Sequence, residues 1–397
     1  MWLIIYCKDM RGVSIIGVGK TKFGVHPDRS LKSLIAEAGK KALLDAKIDA
    51  SMVQAFYLGN FAATGFNNQN HVAPYAATAM GLPNVPATRI EAACASSGAA
   101  LREAVIAVSA GLYDLVLVGG VEKMNSVDTP RVTEYLAQAA DWETEGKIGA
   151  TFPSMFALMA TRHMHEYGTR REHISTVAVK NHANGAKNPD AHMQKEITLD
   201  KAMNSPVLVA EPLNLYDCSL ITDGAAAVVV CSSEMAKQFS EIPVDVIGHG
   251  QASDLFCMYQ KKDITRFDAT IAAGRRAYEM AGIGPQDVDV VEVHDCFTIA
   301  EIIAIEDLNF CKKGQGGPFT YEGMTAIGGK IPVNTSGGLK SKGHPVGATG
   351  VAQVAELVLQ LRGQAGARQV TDAEVALAHN LGGSGASCVV HILRRRS

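Results

Sequence analysis

The chain has 397 residues, of which 47% are hydrophobic, 19% charged and 6% aromatic, and its formal net charge is -3. That length exceeds one ordinary core and predicts two domains or a fused pair. The composition excludes a disordered or fibrous chain. The charge excludes a surface built to neutralise nucleic-acid phosphates, so "RRRS" at the C-terminus reads as a solvated tail.

The opening "MWLIIYCKDMRG" carries a short apolar run without the positive n-region or small-residue cleavage site of a signal peptide. Residues 1–12 are therefore expected to be an N-terminal extension, with Met1 or Met10 as the natural start. From Ala55 to Thr88 no residue is charged, but Asn, Gln, Gly and Pro interrupt the stretch, so no membrane span is expected. Eight cysteines form no CxxC pair, which favours a reducing, cytoplasmic compartment.

The β-like "VSIIGVG" from Val13 begins an order of elements that occurs twice. "AGKKALLDAKIDASMVQAFYLGN" from Ala38 aligns without gaps on "AGRRAYEMAGIGPQDVDVVEVHD" from Ala273, so that Gly39 meets Gly274 and Ile48 meets Ile283. Each copy is a helical pattern, a Gly/Asp/Pro-type break and a β-rich run. The second copy has its own upstream strand, "VDVIGHG" from Val244. Downstream, a small-residue turn enters a helix in both: "CASSGAALREAVIAV" before "LVLVGG", and "HPVGATGVAQVAELVL" before "VALAHN". The halves close on "GAAAVVVC" and "GASCVVHIL". This duplication predicts an α/β architecture of two similar halves in layers about a pseudo-twofold, with halves at 13–240 and 241–397. Between Met124 and Leu220 the first half carries about a hundred residues that the second lacks. Such a long insertion, at about 124–220, is expected to be a lid over the mouth of the site, with "FPSMFALM" lining the pocket. "GVG" at Gly17 to Gly19 is no dinucleotide fingerprint, and there is no phosphate-binding loop of the GxxxxGK[ST] type.

Cys94 stands between a β-like stretch and a helix whose Ala100, Leu101, Ala104, Val105 and Val108 share one face. A sulfur at a helix start is expected to have a lowered pKa and act as a nucleophile, given a base. The second-half counterpart, "NTSGGLKSKGHPVGATG" from Asn334, presents His344 just before its own helix, where the pseudo-twofold would bring it to Cys94. Asp223 reads as a turn residue and Glu122 as structural. His163, His165, His173, His182 and His192 lack HExxH-type ligand spacing and read as capping or solvated groups, so no metal is expected.

"ACASSGAAL", "ITDGAAAVVV" and "GGLKSKGHPVGATG" resemble the thiolase superfamily, from about Val13 to Arg394. The resemblance implies a duplicated α-β-α-β-α fold and a reversible Claisen condensation on coenzyme A thioesters. Cys94 would accept the acyl group and His344 would activate it. No cofactor would be permanently bound, acyl-CoA being the substrate. A homodimer through the first-half sheet, and a small OB-fold, zinc-ribbon helper protein, are further implications.

Two motifs depart from ordinary thiolases: "HDCF", His294 to Phe297, stands for Asn-Glu-Ala-Phe, and "HNLGG", His379 to Gly383, for Cys-x-Gly. This exchange resembles sterol-carrier-protein-type thiolases and their archaeal and bacterial kin. It implies that Cys296 is the second acid/base and that His294 serves an oxyanion hole. A second hole would use backbone N–H groups of Cys94, Leu381 and Gly382, with His379 and Asn334 as secondary candidates. The rivals are a retro-aldol lyase on side-chain acyl-CoA, a decarboxylating ketoacyl synthase and a non-catalytic acyl-CoA-binding subunit. Intact Cys94, His344 and Cys296 argue against them.

Overall fold

The computed structural model describes residues 10–82 and 84–396. Most of the expected N-terminal extension, and the question of its starting methionine, lie outside the described residues. Its described end is held in place: Arg11 donates to Val108 O and Tyr113 O and pairs with Asp114.

The first half runs β1 (Val13–Lys20), α1 (Leu31–Asp45), β2 (Ala55–Gly59), α2 (Ala63–Asn67), α3 (Val72–Met80), β3 (Ala87–Ile90), α4 (Ser96–Ser109) and β4 (Leu115–Glu122). The insertion holds α5 (Thr129–Ala137), α6 (Phe152–Tyr167), α7 (Arg171–Ala186), α8 (Leu199–Met203), β5 (Leu208–Ala210) and β6 (Leu213–Asn214), before β7 (Gly224–Ser232). The second half runs β8 (Val244–Ser253), α9 (Asp268–Ala281), β9 (Val290–Glu292), α10 (Thr298–Asp307), α11 (Gly316–Tyr321), α12 (Thr349–Leu361), β10 (Val375–Gly382) and β11 (Ser387–Arg395).

Strand order is β3-β2-β4-β7-β1 in the first half and β8-β11-β10-β9 in the second, joined by a two-residue pairing of β1 with β8. A parallel bridge from Val291 to Val333 stands where the second half would carry its counterpart of β3. Side chains alternate across each strand, and the alternation separates three cores. Val116, Val118, Val228 and Val230 face a central layer, while Leu115, Leu117, Val229 and Cys231 face α1 and α3 on the outside. In the second half, Ala376 and Ala378 face the centre, whereas Leu377, Leu381 and Val390 face an outer core. α4 and α12 fill the central layer and touch strands of both halves. The result is the α-β-α-β-α order expected.

The repeat has a steric cause. A Cβ on Gly17 would lie 2.3 Å from Ala42 O of α1, and one on Gly248 would lie 2.3 Å from Ala277 O of α9. Each half needs glycine there so that its outer helix can lie directly on its strand. The insertion departs from the lid reading in part. Met155, Phe156, Met159, Ile174 and Val177 of α6 and α7 are buried in the outer core of the second half. "FPSMFALM" is thus largely structural, because its apolar side chains complete a core that strands alone leave open.

Candidate active site

Cys94 lies between β3 and α4 on a tight loop. Ala93 adopts a left-handed φ of 50°, unfavourable for a residue with a Cβ, and Ser96 Oγ secures it by accepting from Ala92 N and donating to Ala93 O. His344 precedes α12, and Gly347 N–H beside it donates to Glu122 of β4 at 3.0 Å. Glu122 also accepts from Phe61 N and Ala62 N. It is the buried clamp between the halves, and its carboxyl is raised to about 7 by burial.

The two helices meet at Asn380. A Cβ on Gly350 of α12 would fall 2.2 Å from Asn380 Oδ1 and 2.4 Å from Gly98 N of α4. Glycine at that position allows the two helix starts to approach, and with them Cys94 and His344. The Cys94 sulfur and one ring nitrogen each of His294 and His344 lie within 4.8 Å of one another. The two imidazoles stand edge to face, 5.0 Å between centroids.

Hydrogen bonds fix the tautomers. Thr349 Oγ1 donates to Pro345 O, so it accepts from His344 Nδ1–H at 2.7 Å, and the Nε2 lone pair of His344 is left free. Asn380 Nδ2 donates to Cys94 O at 2.9 Å and to His294 Nδ1 at 3.3 Å, which puts the His294 proton on Nε2 as a donor. Burial, with Lys342 adding to it, lowers His344 to about 3. Burial, with His344 next, likewise holds His294 well below the ordinary histidine range. At neutral pH one ring is a bare base and the other a neutral donor.

The thiol differs from expectation. Cys94 is half-buried, and burial pushes it up to about 12, outweighing the N–H groups of Gly383 and of Cys94 itself that point at the sulfur. Burial thus favours the resting thiol over the thiolate expected from the helix start. A base acting on this thiol would have to remove the proton as sulfur attacks.

Cys296 is buried beside Cys94, and its thiol is raised well above the ordinary value, chiefly by burial. Phe297, next to it, stacks on Phe156 of α6 at 4.5 Å. Asp295 faces away and accepts from Leu339 N, Lys340 N and Asn181 Nδ2, holding the loop that leads to His344. Lys342 pairs with Glu292 at 3.3 Å, tying the segment two residues before His344 to that two residues before His294.

Four expected positions need correction. His379 shares the outer face of β10 with Leu377 and Leu381; its Nε2 bonds Thr270 Oγ1 and its Nδ1 accepts His294 N–H, so no ring nitrogen is free for the site. Asn380, the next residue, faces the centre instead, a position the period-two alternation of "VALAHNLG" predicts once Ala376 and Ala378 are placed inward. Leu381 and Gly382 are paired within the β10–β11 ladder, and the N–H that reaches the sulfur is that of Gly383, where a φ of 61° turns the chain out of the strand. Asn334 accepts Val293 N–H and donates to Glu301, an architectural role.

Asp223 is buried and accepts from His26 N and Asn125 N. Four insertion histidines have separate partners: His163 with Thr169 and Glu306, His173 with Arg170 N, His182 with Lys195 O, and His192 with Thr222. A cavity of about 760 Å³ opens beside the Cys94 loop, lined by Ala92, Ala93 and Gly383 on one side and Phe61, Tyr135 and Phe256 on the other. Tyr135 of α5, with Gln138 and Ala139 just after it, is the insertion's contribution to it.

These features define a duplicated α/β protein with a cysteine thiol and an imidazole brought together where its two central helices cross. The family model described as thiolase, N-terminal domain, matches residues 13–234, and that described as thiolase C-terminal domain-like matches 250–395. The chain belongs to the thiolase family. It is 50% identical over 386 residues to an acetyl-CoA acetyltransferase of Methanothermobacter thermautotrophicus, covering 97% of this chain and 100% of that one. It is 37% identical to sterol carrier protein 2 of Oryctolagus cuniculus, over 95% of this chain and 71% of that protein. A solved structure, the Ltp2-ChsH2(DUF35) aldolase, superposes with a TM-score of 0.86 at 28% identity, covering 97% of this chain and 98% of its own. Among the described residues no helix is long and apolar enough to cross a membrane.

Proposed function

We propose that the protein is an acetyl-CoA C-acyltransferase that cleaves or forms 3-oxoacyl-CoA through an acyl-Cys94 intermediate. The observation that carries this is the pairing of a neutral Cys94 thiol with a His344 ring whose Nε2 lone pair is free, opposite the His294 donor. In the cleavage direction, His344 takes the Cys94 proton as sulfur attacks C3 of the 3-oxoacyl-CoA. The C2–C3 bond breaks, and its electron pair leaves on the acetyl-CoA enolate. Cys296 then protonates C2, giving acetyl-CoA. Free coenzyme A gives its thiol proton to the Cys296 thiolate and attacks the acyl-Cys94 carbonyl, releasing the shortened acyl-CoA as His344 returns its proton to the Cys94 sulfur. Gly383 N–H and Cys94 N–H would receive the oxygen of the Cys94-bound acyl group, and His294 Nε2–H that of the enolate. The cavity lined by Phe61 and Tyr135 would accept the acyl group.

The relative named acetyl-CoA acetyltransferase supports this reading, and coenzyme A thioesters would be substrates rather than resident groups. The structural neighbour is named an aldolase with a DUF35 chain, which supports a helper subunit here beside a homodimer; a lyase would not need an acylated cysteine, and Cys94 and His344 are both present. A cytoplasmic location accords with seven unpaired cysteines among the described residues. The test is mass spectrometry after brief exposure to acetyl-CoA, with a panel of 3-oxoacyl-CoAs and free coenzyme A assayed alongside. An acetyl group on the Cys94 peptide and thiolysis of at least one substrate are expected. Acetylation elsewhere only, or release of a carbonyl product without acylation, would overturn the reading.

A further inference from the structure

We propose that Cys94, His294 and His344 also bind one divalent transition-metal ion of borderline or soft character, Zn²⁺ being the fitting example, and that the bound ion blocks the nucleophile. The three donor atoms already lie within 4.8 Å of one another. Tetrahedral Zn²⁺, with Zn–S about 2.3 Å and Zn–N about 2.0 Å, sets donors roughly 3.3–3.6 Å apart. Closing the site around an ion therefore needs side-chain movements of about an ångström. One thiolate and two imidazoles, without a carboxylate, suit Zn²⁺, Co²⁺ or Ni²⁺ and not Mg²⁺ or Ca²⁺. The fourth position stays open, toward the side from which Cys94 remains partly accessible.

One of the two histidines is already oriented for the task. His344 donates Nδ1–H to Thr349 Oγ1, the outer bond that leaves Nε2 to a metal. His294 Nδ1 is occupied by Asn380 Nδ2, so Nε2 is again the free nitrogen. For His294 to ligate, the Nε2 proton must be exchanged for one on Nδ1, and the Asn380 amide must turn to receive it, giving up its bond to Cys94 O. Asn380 Oδ1, buried and without a partner among the protein's own groups, is the atom available for that. Lys342, the nearby cation, is paired with Glu292 at 3.3 Å. The step balances without electron transfer: the Cys94 S–H bond breaks, sulfur keeps the electron pair and binds the ion, and one proton leaves to buffer.

The binding is read without turnover, so its outcome is separate from that of the proposed activity. Titrating the full-length, reduced protein with Co²⁺ should give one ion per chain, the intense visible bands of four-coordinate cobalt, a thiolate charge-transfer band and one proton released per ion. Zn²⁺ should displace the cobalt. Cys94→Ala should abolish the charge-transfer band, and His344→Ala should weaken binding roughly tenfold or more. In the unaltered protein, Zn²⁺ should protect Cys94 from alkylation and leave the half-buried Cys311 as reactive as before. Weak six-coordinate cobalt bands, a charge-transfer band that survives Cys94→Ala, or equal alkylation of Cys94 with and without Zn²⁺ would each overturn the proposal.

Discussion

Two alanine substitutions separate the thiol of Cys296 from the imidazole of His379 as the proton carrier. His379 is fully buried, bonds Thr270 Oγ1 at 2.9 Å and accepts His294 N–H at 3.3 Å. His379→Ala strands that N–H, at about 1–3 kcal/mol, and leaves Thr270 only the Cys388 sulfur at 3.6 Å. The cavity adds about 3 kcal/mol, by analogy with other large-to-small changes, for a total of roughly 4–6 kcal/mol. Cys296→Ala removes one buried sulfur and should cost about 1 kcal/mol. Catalytically the order reverses. Exchange of the acetyl-CoA methyl protons with deuterated water, followed by NMR under conditions where both variants are folded, should fall about a hundredfold or more in Cys296→Ala. His379→Ala should stay within about tenfold of the parent, the loss arising only through His294. Urea melts supply the stabilities. If exchange persists in Cys296→Ala and disappears in a folded His379→Ala, the assignment of Cys296 is wrong.

The resting state of Cys94 predicts its pH dependence toward a neutral alkylating agent. With the thiol near 12, the thiolate fraction rises with pH throughout the accessible range, so the rate read on the Cys94 peptide should climb about tenfold per unit from pH 7 to 10. A plateau below pH 9 would show a thiolate already formed by the helix start. Gly350→Ala should separate the starts of α4 and α12, because its Cβ would meet Asn380 Oδ1 and Gly98 N. We expect a loss of roughly 1–3 kcal/mol in a denaturant melt, together with loss of acetylation at Cys94. Normal acetylation in a folded Gly350→Ala protein would mean that the crossing does not set the Cys94–His344 distance.

Periodicity and repetition carried most of the fold. Runs such as "GAAAVVVC" are apolar at every position because the strand is covered on both faces, and the matched Gly39 and Gly274 lie in α1 and α9, which occupy equivalent places. The insertion was less legible. Its helices are amphipathic whether they cover a cavity or complete a core, and only the tertiary position of Phe156 against Phe297 decides between the two. At the site, Cys94, His294, His344 and Cys296 stood out as reactive residue types in small-residue settings, and the structure brings them together. Gly383 did not stand out, because a backbone N–H leaves no signature in side-chain chemistry. Asn380 was overlooked beside a more conspicuous histidine, although strand parity distinguishes the two: His379 falls with Leu377 and Leu381, Asn380 with Ala376 and Ala378.

The corrected thiol state changes how the geometry works. A thiolate–imidazolium pair in this setting would need two charges held in a site that keeps His294 and His379 neutral by burial. Leaving Cys94 as a thiol and His344 as a bare imidazole avoids that cost until an acyl carbonyl is present to take up the developing negative charge. The donors proposed for the developing charges need no reorganisation: Gly383 N–H and Cys94 N–H for the acyl oxygen, and His294 Nε2–H, fixed by the Asn380 amide, for the enolate. The same amide holds Cys94 O and occupies the contact between Gly98 and Gly350. Helix crossing, nucleophile loop and histidine tautomer thus share one side chain. In this arrangement the distance between nucleophile and base and the protonation state of the oxyanion donor are set together, so a change at Asn380 should disturb both at once.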